Sequence, residues 1–98
     1  MSEERDRARQ KYGALFCIVR AVLDRHDPMR IGATPDEYEP EVVEVLPGLA
    51  EASTEEDVLS LIHAVFKRMF APVDVGPRAR FAPIASEIWR LTRTQPEP

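Results

Sequence analysis

Apolar side chains recur at spacings of three and four from the first residues onward: Ala8, Tyr12, Leu15, Phe16, Val19, Val22 and Leu23. This period matches one face of a helix and predicts a long helix over residues 3–26. Ser2 is placed to cap it, and Glu3 and Glu4 stand where the helix dipole favours negative charge. The opposite face is small and uncharged at Ala14, Cys17 and Ala21. A helix without charge on either side is normally buried on more than one flank, so this one is expected to be central. Asp27-Pro28 ends it, because proline disfavours helical geometry in the residue before it.

The remaining pattern gives three further helices. A helix begun at Pro35 would enclose Pro40, a clash of about 3 kcal/mol. A short turn over 35–38 and a helix opening at Pro40 are therefore expected, with Tyr38 packing on Val43 as a hydrophobic staple. That helix carries Val42, Val43, Leu46 and Leu49 and is expected to kink or break at Pro47-Gly48. Ser53 and Glu56 have the spacing of a capping box ahead of a third helix over about 54–71. Its stripe is Val58, Leu59, Ile62, Val65, Phe66, Met69 and Phe70. Residues 72–77 read as loop between two prolines. A last helix over about 79–93 turns Phe81, Ile84, Ala85, Ile88, Trp89 and Leu91 inward, with Pro83 in its first turns. No stretch alternates with period two. The expected fold is all-α: one helical-bundle domain over residues 1–98 with about four helices and a tail that frays from about 94.

Composition narrows the class without naming a function. Of 98 residues, 44% are hydrophobic and 31% charged, the mix of a soluble globular chain with one modest core. A net charge of −4 argues against a general nucleic-acid binder, which would be basic. Residues 1–11 are charged throughout, with no apolar signal core, and the longest uncharged apolar run stops at Arg20. Both features predict a cytoplasmic chain that does not associate with membrane. The single cysteine, Cys17, excludes an intrachain disulfide and a multi-cysteine zinc site. Its neighbours Phe16 and Ile18 predict a buried, inert thiol.

The modest net charge hides a strong asymmetry. Residues 1–34 carry +2 and residues 61–98 carry +3, while residues 35–60 hold nine acids and no base. Several of those acids lie in first turns, where the dipole rewards them, and a solvated face is the plain reading. The sharper reading is an electrostatic docking surface for a basic protein partner. It centres on Asp27, Asp36, Glu37, Tyr38 and Glu41. Arg90 and Arg93 share a face of the last helix and are candidates to meet the acidic block, within the fold or across a dimer.

Catalytic motifs are lacking: there is no HExxH, no GxSxG and no glycine-rich phosphate loop, and no cofactor is implied. His63 flanks an apolar stripe and reads as structural, and His26 closes the first helix where a protonated ring suits the dipole. Asp27, Asp36, Glu37 and Glu41 are oxygen donors near one loop, the one set suited to a hard cation, without the spacing of an EF-hand.

Asp27-Pro28, then Pro35-Asp36-Glu37-Tyr38-Glu39-Pro40-Glu41, and later Ile84-Ala85-Ser86-Glu87-Ile88-Trp89, form a signature. In these runs the chain resembles a small bacterial family of uncharacterised helical proteins, domain of unknown function 1871. Its members commonly have tryptophan before the Asp-Pro pair, where this chain has His26. The resemblance covers about residues 12 to 92 and implies a small all-α domain with no assigned activity. Three functions are then in competition. The first is a non-enzymatic protein-binding or regulatory module with an acidic contact surface. The second is a metal-dependent enzyme built on Asp27, Asp36, Glu37 and Glu41. The third is a structural homodimer.

Overall fold

The computed structural model describes residues 3–30 and 37–93. Within them the chain forms α1 (Glu3–Tyr12), α2 (Ala14–His26), α3 (Glu39–Glu51), α4 (Glu55–Met69), the one-turn α5 (Pro72–Val75), a 3-10 turn (Arg78–Phe81) and α6 (Ala82–Arg93). No strand occurs among the described residues, so the all-α expectation holds. None of these helices is long and apolar enough to cross a membrane. Ser2, Pro35, Asp36 and the tail from 94 lie outside the described residues.

The single long helix expected over 3–26 is two helices. Gly13 breaks it with φ 49° and ψ −110°, a conformation that L side chains rarely adopt. The bend turns α1 onto α3, which also packs against α2. Apolar period alone hides such a break, because Ala8 and Phe16 remain on inward faces of their own helices. α2 packs against α1, α3 and α6, as expected of a central helix, but the expected burial of its small, uncharged face is corrected. Ala14, Cys17 and Ala21 are exposed, so α2 buries one face only, through Phe16, Val19, Val22 and Leu23. Small uncharged residues permit close packing but do not compel it.

α3 runs unbroken through Pro47. Pro47 is exposed, and the helix beyond it brings Leu49 into the core beside Val45 and Leu46. Burying Leu49 is worth about 1.5–3 kcal/mol, which offsets much of the roughly 3 kcal/mol cost of an interior proline. Gly48 has its own reason: a Cβ there would stand 2.7 Å from Leu61 Cδ1, so the glycine lets α3 approach α4 closely. The helix opens one residue before Pro40, which occupies its first turn, where a missing N–H is cheap.

The capping box at α4 is shifted by one residue from the expected Ser53–Glu56 pair. Thr54 Oγ1 accepts from the Asp57 amide at 3.0 Å, and Asp57 Oδ2 accepts from the Thr54 amide at 3.2 Å. Asp57 also takes the Ser53 amide at 2.9 Å, while Glu56 pairs with Arg78. Residues 72–75, expected as loop, form the one-turn α5. α6 packs on α2 and α4, and α3 lies between α1, α2 and α4. Where these layers meet, Phe66 stacks on Phe70 at 5.5 Å and lies 5.2 Å from Phe81 and 6.1 Å from Tyr38. Such pairs add about 0.5–1.5 kcal/mol each beyond area burial. His63 is structural: its Nε2 lies 3.1 Å from the Gly76 carbonyl, which can only accept, so that nitrogen carries the proton.

Candidate functional site

α2 stops in a left-handed cap at Asp27, with φ 44° and ψ 60°, whose amide bonds the Leu23 carbonyl at 2.8 Å. The chain then turns tightly, the Arg30 amide reaching the Asp27 carbonyl at 3.0 Å. Arg30 is itself left-handed, with φ 55°. Pro28 is buried, and Met29 is half-buried. From the other side, the ring of Tyr38 enters the core at the start of α3 and is fully buried. Its hydroxyl donates to Asp27 Oδ1 at 2.7 Å and accepts from the Met29 amide at 3.0 Å.

This clasp joins the two ends of the segment between α2 and α3. Burial, with the bond to Asp27 second, pushes the Tyr38 hydroxyl above the ordinary tyrosine range, so it stays protonated and donates. Tyr38 does more than the expected staple on Val43: its ring lies against Phe66 and its hydroxyl on Asp27. Arg80 extends the clasp from the 3-10 turn, donating to the carbonyls of Pro28, Asp74 and Val75, the last two at 2.9 and 2.8 Å.

The five residues singled out from the sequence are thus divided. Asp27 and Tyr38 meet in one hydrogen bond. Glu37 is exposed, and Asp36 lies outside the described residues. Glu41 is 5% exposed, and its Oε1 has no hydrogen-bond partner. Burial pushes the Glu41 carboxyl up, opposed by its own backbone amide. Among the described residues no three Asp, Glu, His or Cys side chains converge to hold a metal ion, so Asp27, Glu37 and Glu41 do not form one ligand set.

Basic residues answer much of the acidic block from within the fold. Glu39, almost fully buried, lies 3.4 Å from Arg20 and 3.9 Å from Arg9. Glu44 pairs with Arg68 at 2.8 Å, and Glu56 pairs with Arg78. Arg90, expected to meet the block, instead stands 4.0 Å from Glu87 on its own helix, and the Arg93 side chain is not described. Glu87 also receives His26 Nε2 at 2.7 Å and Arg25, tying α6 to the end of α2.

The link of Arg80 to Pro28 and those of Glu87 to Arg25 and His26 were not visible in sequence order, since they span 52 and 61–62 residues. One signal was present: Glu87 is the sole acid between residues 79 and 93. Among the described residues, two clefts adjoin the clasp, and Arg30 and Arg80 line both. One, of about 180 Å³, is also lined by His26, Asp27, Pro28, Pro83 and Ile84. The other, of about 480 Å³, is completed by Met29, Phe70 and Asp74. Compared with protein-family models, curated proteins and solved structures, the chain matches none.

Proposed function

We propose that this chain is a non-enzymatic protein-binding or regulatory module of the bacterial cytoplasm that engages a basic partner through an acidic surface. Membership in the family that its Asp-Pro and Asp-Glu-Tyr runs resemble belongs to the same proposal. The observation that supports the reading is Glu51. It is exposed in the last turn of α3, a turn that contains no base. A carboxylate there opposes the helix dipole and costs about 0.3–1 kcal/mol, so helix stability does not account for it. Glu55, Glu56 and Asp57 follow directly, all exposed, at the start of α4. Asp57 is occupied in the capping box and Glu56 by Arg78, which leaves Glu51 and Glu55 facing solvent across the α3–α4 turn. Two like charges held this way raise the local field and steer a cationic surface toward it.

The test is charge reversal at Glu51 and Glu55 together, Glu51→Lys with Glu55→Lys. The tagged full chain is used to capture proteins from lysate at low and at moderate salt, with identification by mass spectrometry. A basic protein retained by the wild type, released by salt and lost with the reversed variant is the expected result. Capture that is identical for the two chains, or insensitive to salt, rejects the acidic surface as the interface.

A further inference from the structure

The groove beside α5 has the features of a second, independent recognition site. Its apolar lining is Met29 and Phe70, both half-buried. Beside Phe70 and Asp74 in the chain are Met69, 38% exposed, and Val73, 88% exposed, the two large hydrophobic residues most open to solvent among the described residues. Among the described residues, three charged side chains also line it. The Arg80 guanidinium is held by three backbone carbonyls, which fixes it as a wall. Arg30 and Asp74 are exposed, and neither side chain has a hydrogen-bond or ion-pair partner among the described residues. They face the same groove without pairing with one another.

Arg30 also keeps a left-handed backbone at φ 55°. For a residue other than glycine this costs about 1–2 kcal/mol, and asparagine or glycine would relieve it. Among the described residues, neither packing nor a hydrogen bond of its side chain explains an arginine there. A cation and an anion held apart over an apolar floor are complementary to the opposite arrangement on a partner. At about 480 Å³, the groove accommodates a few side chains of a segment lying across it.

We propose that this groove docks a peptide segment of a partner protein in which a large apolar residue lies between an acidic and a basic one. The apolar side chain seats on Met29 and Phe70, the acid meets Arg30 and the base meets Asp74. The smaller cleft across the Arg30–Arg80 wall takes the chain as it leaves. This site is separate from the α3–α4 turn, and Glu51 and Glu55 have no part in it.

The experiment selects random 12-residue peptides displayed on phage against the full chain, then measures synthetic winners by fluorescence anisotropy. Expected winners carry an apolar residue flanked on opposite sides by Asp or Glu and by Lys or Arg. Arg30→Glu and Asp74→Lys each weaken them at least tenfold while leaving the melting temperature unchanged. The double variant Arg30→Glu with Asp74→Lys regains binding to peptides whose acid and base are exchanged. The Glu51→Lys, Glu55→Lys chain binds the winners like wild type. Winners without the charge pattern, or affinities within twofold across Arg30→Glu and Asp74→Lys, overturn the proposal.

Discussion

Replacing Tyr38 by phenylalanine isolates the clasp from the core, because the ring and its contact with Phe66 are kept and one oxygen is removed. Two hydrogen bonds are lost: 2.7 Å to the Asp27 carboxylate and 3.0 Å from the Met29 amide. A bond to a charged group contributes about 1.5–3 kcal/mol net, and an amide bond about 0.5–1.5 kcal/mol. Asp27 and Met29 are each half-buried, so water replaces part of what they lose and the sum falls toward its lower end. The expected destabilisation is about 2 kcal/mol. For a domain of this size that corresponds to a fall of roughly 10 °C in melting temperature. Urea unfolding followed by circular dichroism measures it, with Asp27→Asn as the companion change. The asparagine oxygen still accepts from the hydroxyl but carries no charge, so it costs less than Tyr38→Phe. In the double variant the effects are strongly non-additive, because both changes act on one bond. A loss below about 0.5 kcal/mol for Tyr38→Phe, within the range of an ordinary surface change, refutes the clasp as the element that joins α2 to α3.

The buried carboxyl of Glu41 gives a prediction with a definite sign. Its pKa is raised in the fold, so between the ordinary value of 4.5 and the raised one the native state binds more protons than the unfolded chain. This group's contribution to stability is therefore greatest below that window and falls as pH rises through it. Glu41→Gln removes the dependence: the variant should be more stable than wild type at neutral pH, with the difference shrinking toward pH 4 in parallel denaturation series. A difference that grows on acidification contradicts the burial argument. At the start of α4, Thr54→Ala should cost about 1 kcal/mol while Ser53→Ala costs a few tenths, since the hydroxyl of Thr54 caps the helix. Equal losses, read from thermal melts, would restore the register expected from the sequence.

Period and composition were enough for the helical class, the placement of α4 and α6, and most of the core. Phe16, Val19, Val22, Leu46, Ile62, Phe66 and Ile88 are all buried where the three-and-four spacing puts them. The errors share a cause. Each concerned a position where a local preference competed with tertiary burial or backbone geometry. At Gly13 the periodic signal continued across a backbone that reverses φ, and at Pro47 the local cost is offset by the burial of Leu49 beyond it. Cys17 was judged by its sequence neighbours Phe16 and Ile18, which point to other faces of α2 than its own. At the clasp, Asp27 and Tyr38 stand out in the sequence, but the bond between them depends on the path of the chain around it.

The acidic block shows how a charge total changes meaning once geometry is known. Nine acids without a base over residues 35–60 form a strong field only if they face solvent together. In the fold Glu39 is buried against Arg9 and Arg20, Glu41 is buried with its carboxyl driven toward the neutral form, and Asp57 is held in a cap. Glu44 and Glu56 are exposed and answered by arginines, where an ion pair is worth at most about 1 kcal/mol and is weakened by salt. The first three are therefore fixed by structure, and the last two pairs can open to a partner at little cost. An electrostatic contact at the α3–α4 turn would then recruit Glu56 by releasing Arg78, beginning from Glu51 and Glu55. Arg78→Ala follows as the discriminating change: it removes the internal competitor, keeps every acid and should strengthen capture of a basic partner. If the turn is only a solvated face, the same change leaves capture as it was.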